Sequence, residues 1–324
     1  MVHAGHRDRL FGVPEAWNFK QCCNAECGLV WLDPMPLPED IGKAYRNYYT
    51  HQSVRRPGRN GPIRKLYEVI KLGYLARKYH YPPGPLPPLA KSAALLLYLF
   101  PARRGLVDES VRFLPAIPRG RLLDVGCGSG EWLVSMRALG WSGEGVDFDE
   151  EAVGIARKSG LSVGCGSLEE QGYPDRSFDA ITLHHVIEHL PEPVSTLKEC
   201  ARLLAPGGKL VVLTPNIASL GHRLLGGNWR GLEPPRHLHV MSPRALCVLL
   251  AKAGFANTRV NTRNSGYIWQ QSLMLWAGQT AVNGELHPGF LGRCGGGVMT
   301  FLEGMLLTMN PSLGECILAI SERN

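Results

Sequence analysis

Residues 121–130, Arg-Leu-Leu-Asp-Val-Gly-Cys-Gly-Ser-Gly, constrain the fold of this 324-residue chain more than any other stretch. An apolar run ends at Asp124, glycines follow at positions 126, 128 and 130, and a helix-competent segment opens at Glu131. The pattern reads as strand, tight glycine turn and helix N-terminus. Glycines there allow a sharp bend and let a ligand approach where a Cβ would collide. Residues 106–264 continue as alternating strands and helices, which implies a mostly parallel sheet. Strands are expected at 121–125, 142–147, 178–183, 208–214 and 256–262, with a weaker one at 161–164. Helices are expected at 131–139, 149–158, 193–204 and 243–253, the last with Ser242-Pro243 as cap and first position.

The glycine spacing selects a ligand. Dinucleotide folds want G-x-G-x-x-G with a pyrophosphate on the helix N-terminus. Here the spacing is G-x-G-x-G, and Asp124 stands two residues before Gly126. S-adenosylmethionine has no phosphate to cradle, but it carries an α-amino group and a carboxylate. Asp124 suits the amino group and the glycine amides suit the carboxylate. Asp147, at the end of the second expected strand, falls about twenty residues after the loop, where a carboxylate grips both ribose hydroxyls. Each charge-assisted bond of this kind is worth roughly 1.5–3 kcal/mol.

With those residues the chain resembles the class I S-adenosylmethionine-dependent methyltransferases, through most of residues 106–263. Phe178–Leu183 is similar to the family's fourth strand, His184–Leu190 to its post-strand segment, and Leu203–Leu210 to its "L-x-P-G-G" turn into strand five. The resemblance implies an α/β fold: a doubly wound, Rossmann-like, seven-stranded sheet with helices on both faces. Gly314–Ser321 would be the closing antiparallel strand. A domain at 106–324 would then carry an insertion at 265–312, with one or two helices.

Ligands on such sheets sit outside the carboxyl ends of the strands. That rule selects Asp124, Gly126, Cys127, Gly128 and Gly130, then Asp147 with Phe148, Ser167 with Leu168, and His184 with His185. Phe148 and Leu168 could sandwich the adenine, and Ser167 falls where the family reads the adenine edge. Histidines are the candidate bases, because they titrate near neutral pH. His237, in the loop after strand five where the family builds acceptor pockets, is the first choice; His189 and His185 follow. Some related quinone-type methyltransferases bind a metal near this segment. Adjacent residues such as Glu188 and His189 point apart on a helix, so no metal is expected.

The N-terminal third is different. Residues 1–119 hold 18 Lys and Arg against 9 Asp and Glu, whereas the remainder is slightly acidic. Residues 1–50 resemble a zinc-ribbon-like segment, Cys22, Cys23 and Cys27 preceding Gly28-Leu29-Val30-Trp31-Leu32-Asp33-Pro34. Four ligands are needed and a second cysteine pair is absent, with His3 and His6 the only nearby substitutes, so a degenerate, metal-free segment is expected. Residues 39–52 suggest a short helix near Tyr45, Tyr48, Tyr49 and His51. Residues 51–105 form a basic helical linker. Within 55–104 are eleven Lys or Arg and one acid, Glu68, with apolar helical candidates at 63–79 and 90–100 around a proline-rich break at 82–88. Such a segment suits peripheral contact with an anionic membrane face.

Nine cysteines without a secreted-type spacing, and no apparent signal peptide or spanning run, fit a cytoplasmic setting. The expected acceptor is a small or lipid-like molecule methylated on oxygen. A nucleic-acid acceptor is disfavoured because Leu183-His184-His185-Val186 stands where amine methylases resemble one another in "D/N-P-P-Y". A non-catalytic cofactor-binding partner remains the alternative from another class.

Overall fold

In a computed structural model the described residues are 1–24, 27–45, 61–81, 90–117, 120–281 and 286–323. Tyr48, Tyr49, His51 and the proline-rich break lie outside them, as does part of the basic segment. The chain divides into two compact units, one of Met1–Tyr49, Leu183–Arg202 and Val212–Asn324, the other of Thr50–Thr182 and Leu203–Val211.

Eleven strands are present among the described residues: β1 (His3–His6), β2 (Trp17–Gln21), β3 (Val30–Asp33), β4 (Arg121–Val125), β5 (Ser142–Asp147), β6 (Ser162–Cys165), β7 (Phe178–His184), β8 (Leu204–Pro215), β9 (His239–Val240), β10 (Asn257–Arg263) and β11 (Cys316–Glu322). Seven of them form one sheet in the order β10-β11-β8-β7-β4-β5-β6. β4, β5 and β6 run parallel. β10 and β11 run antiparallel from Asn257 opposite Glu322 to Arg263 opposite Cys316. This is the seven-stranded sheet that the sequence predicts, and the order reverses between β4 and β7. β4 buries four consecutive residues, Leu122–Val125, as a strand covered on both faces must.

The crossover helices begin where their caps direct. Asp149 Oδ1 accepts from the Glu151 and Ala152 amides and starts Glu150–Lys158. Ser242 Oγ accepts from the Ala245 amide and starts Pro243–Lys252. Acids open the first of these helices and Arg157 and Lys158 close it, matching the helix dipole.

Residues 1–33 do not stand alone. β1, β2 and β3 form a meander that continues into β9, Val30 pairing with Val240 and Trp31 with His239. Cys22 and Cys27 sit at the β2–β3 turn, where the Cys22 amide donates to the Leu29 carbonyl at 2.8 Å. In the 265–312 region the helices Gly266–Trp276 and Phe290–Leu306 pack together. Trp269 Nε1 donates to Glu303 Oε2 at 3.0 Å. Burial and the neighbouring Glu315 push the Glu303 carboxyl up to about 8, so it is a neutral acid in this core at pH 7.

In the other unit, helix Pro62–Lys78 is tied down through buried Asp108, whose Oδ1 accepts from Tyr74, Lys78 and Tyr79. Among the described residues no helix is long and apolar enough to cross a membrane.

Candidate active site

Asp124 ends β4 with its side chain buried. Its Oδ1 accepts from Thr182 Oγ1 at 2.8 Å and from the Arg112 guanidinium. Oδ2 is buried without a hydrogen-bond partner. Burial pushes this carboxyl up, against the pull of Arg112 and Thr182. A buried carboxylate oxygen without a donor is what a ligand ammonium would satisfy.

The glycine turn is pinned beside it. The Gly126 and Cys127 amides donate to the Val146 carbonyl of β5 at 2.7 and 3.2 Å. Gly126, Gly128 and Gly130 all have left-handed backbones, with φ of 70°, 53° and 78°. Asp147 closes the arrangement, Oδ2 accepting from the Gly128 amide at 2.7 Å and Oδ1 from the Asp149 amide at 3.0 Å. Each oxygen keeps a further lone pair, enough for a diol. Burial pushes the Asp147 carboxyl up, partly offset by those two amides.

Cys127 is half-buried and packs under Gly145, where a Cβ would come within 2.5 Å of its Sγ; burial raises its thiol and keeps it protonated. Phe148 is exposed, Leu168 is buried, and Ser167 is exposed with its amide bonded to Glu170.

Sequence reasoning missed Arg112 and Thr182. Arg112 and Phe113 both have left-handed φ, 45° and 59°, a conformation that costs of order 1–3 kcal/mol per non-glycine residue. The turn delivers the guanidinium onto Asp124 and 3.8 Å from the centroid of the Trp132 ring. No periodicity or motif marks that turn in the sequence.

The histidines gather in the other unit. His184 ends β7 and its ring meets that of His185 edge to face, 5.0 Å apart. His185 has φ of 56°, and its amide donates to the Leu213 carbonyl. Its Nδ1 lies 3.2 Å from Glu188 Oε1. Glu188 is fully buried on the 3-10 turn Ile187–His189, and its Oε2 accepts from Thr214 Oγ1 at 3.0 Å. Burial works to raise this carboxyl, but the His185 hydrogen bond and the charge on neighbouring imidazoles bring it down to about 2. It is therefore an anion at neutral pH, which favours the His185 tautomer with its proton on Nδ1.

His189 Nδ1 is 3.0 Å from the Arg236 carbonyl and 2.9 Å from the Tyr45 hydroxyl. A carbonyl only accepts, so Nδ1 carries the proton. His237 is buried, its Nδ1 donating to the Gly231 carbonyl at 2.7 Å, and burial pushes its ring down to about 4. Among the described residues, donor atoms of Glu188, His189 and His237 lie within 4.8 Å of one another. The helical spacing that argued against chelation does not apply, because these residues come from a tight turn and a distant loop.

That loop is held by charge. Arg236 donates through Nε to Glu233 Oε1 at 2.8 Å and through both terminal nitrogens to Asp8 at 3.0 Å. Arg230 also pairs with Glu233. All four charged side chains are buried, two of each sign.

The strand-end acids and glycine turn on a seven-stranded sheet define a methyl-donor-binding α/β enzyme. A family model described as a methyltransferase domain matches residues 100–260. The chain is 34% identical over 185 residues to the ubiquinone biosynthesis O-methyltransferase of Xanthomonas oryzae pv. oryzae, covering 53% of this chain and 71% of that one. It is 29% identical over 182 residues to the Burkholderia vietnamiensis protein of the same name, covering 53% and 74%. A solved S-adenosylmethionine-dependent methyltransferase from Archaeoglobus fulgidus is 21% identical, with a TM-score of 0.47 over 71% of this chain and 98% of that one. The chain belongs to the class I S-adenosylmethionine-dependent methyltransferases. Its cofactor is S-adenosylmethionine, which supplies an electrophilic methyl group on sulfur.

Proposed function

We propose that the enzyme methylates a hydroxyl of a small, lipid-like acceptor, with His185 as the base. The observation that carries this is the His185–Glu188 pair. Buried, ionised Glu188 fixes the imidazole tautomer, and His185, more than a third exposed, presents Nε2 to take a hydroxyl proton. His237, first in the sequence reading, is buried with Nδ1 committed to Gly231, so its proposed role is to hold the loop rather than to take a proton. Two curated relatives named for O-methylation in ubiquinone biosynthesis support a lipid-like acceptor.

Asp124 is proposed to take the cofactor's ammonium on Oδ2 and Asp147 its ribose hydroxyls. Asp124→Asn is expected to weaken S-adenosylhomocysteine binding by about 10–100-fold, the size of one lost charge-assisted bond. Calorimetry on variant that still melts cooperatively reads this directly; unchanged affinity would move the ammonium site elsewhere.

Peripheral membrane contact is proposed through residues 55–104, where Leu95, Leu96, Leu99 and Phe100 are exposed next to basic residues. The cell setting proposed is the cytoplasm, with contact at the inner face of the membrane. The test is incubation with methyl-labelled cofactor and cell extract, followed by separation of lipid, soluble and nucleic-acid fractions. Label in the lipid fraction is the expected result, and label in nucleic acid would overturn the acceptor class.

A second reading rests on the Glu188, His189 and His237 donor set. A divalent cation there would activate the hydroxyl in place of a base. Turnover abolished by a chelator and restored by Mg²⁺ or Zn²⁺ would favour it.

A further inference from the structure

A second imidazole cluster lies away from all of these residues in the sequence. His3 on β1 and His222 on the helix Leu220–Leu225 bring their Nε2 atoms to 2.9 Å. The His6 ring stands 5.2 Å from that of His3, edge to face. Irregular pairing of β1 with β2 between His3 and His6 places two residues three apart on one side. His6 fits because residue 227 is glycine; a Cβ there would lie 2.0 Å from His6 Cε1.

We propose that His3 and His222, with the His6 ring packed beside them, form a two-histidine binding site for a divalent transition-metal ion of the Zn²⁺ class. Zinc–imidazole bonds are about 2.0–2.1 Å long, which separates two ligand nitrogens by about 2.9 Å at a right angle and about 3.4 Å at the tetrahedral angle. The observed separation needs an opening of at most a few tenths of an ångström.

The rings are available as neutral ligands. Burial, with the neighbouring His222 and His6 rings, pushes His3 down to about 4, and burial lowers His6 and His222 as well. Two cations weigh against a metal: Arg9 acts on His6 and is committed to the Leu275 carbonyl and Asn228, and Arg223 acts on His222 and donates through Nε to the Ala218 carbonyl. His6 also lines a cavity of about 320 Å³ with Arg9 and Trp229.

The test uses untagged, chelator-stripped protein titrated with Zn²⁺ in a calorimeter. Wild type should bind one equivalent that is lost in His3→Ala and in His222→Ala and kept in His189→Ala, which reports the separate Glu188 cluster. Mass-spectrometric mapping of diethylpyrocarbonate modification on the wild-type chain covers a variant that fails to fold. Zn²⁺ should protect His3 and His222 from the reagent. Equal stoichiometry in a folded His3→Ala protein, or no protection in wild type, would overturn the site and leave an imidazole–imidazole hydrogen bond.

Discussion

Arg236→Ala is expected to destabilise the protein by about 3–5 kcal/mol, the cost of breaking a buried ion pair by removing one partner. In wild type the guanidinium has no exposed surface and makes three charged contacts, to Asp8 and Glu233, over the Phe11 ring at 4.1 Å. Removing it leaves two buried carboxylates, with Arg230 still paired to Glu233 and Asp8 still accepting from the Leu10, Phe11 and Val13 amides. Arg236→Lys should recover little, because an ammonium cannot fork between two carboxylates. Urea unfolding measures both. The same network predicts a pH dependence. Burial would raise Glu233, but Arg230 and Arg236 hold it well below the usual carboxylate range. A depressed folded pKa stabilises above the unfolded value of about 4.3 and ceases to as pH falls through the folded one. Wild type should lose stability below about pH 4.3 more steeply than Arg236→Ala does. An Arg236→Ala protein as stable as wild type would show that water takes the place of the guanidinium at little cost.

His185→Ala should lower kcat by about 10²–10⁴, the range of a general base, with cofactor affinity unchanged. Glu188→Gln tests the supporting role. Glutamine keeps a hydrogen bond but loses the charge, so Glu188→Gln should lower kcat while leaving cofactor affinity unchanged. His237→Ala should act through stability, because its ring is packed between Gly231 and the buried Glu233. Full turnover in His185→Ala would remove the base and turn attention to the cation reading.

The glycine turn and strand-end acids proposed to hold the cofactor were legible because each part of that arrangement is local. A strand, its terminal acid and three glycines lie within ten residues, and Asp147 is read from the end of the next strand. Arg112 was not, since it reaches Asp124 through two left-handed residues outside any repeating pattern. The sequence ranks His237 first, then His189 and His185, because it shows the loop that carries His237 but neither the burial of that ring nor the pairing of His185 with Glu188. Their roles depend on a left-handed His185 and a 3-10 turn, neither of which a short polar run discloses. The N-terminal residues were read as an incomplete knuckle from cysteine spacing. Their sheet is completed by only two residues, His239 and Val240, too few to show alternation in sequence.

The pairing of Trp31 with His239 also sets an order of events during synthesis. The ribosome releases β1 to β3 first, but the strand that covers the open edge of β3 is made some two hundred residues later. At about 5–20 residues per second this is a wait of roughly 10–40 s. Through that interval Val30 and Trp31 offer unpaired backbone to any other strand nearby, so the nascent chain has a built-in need for protection that the finished protein does not share.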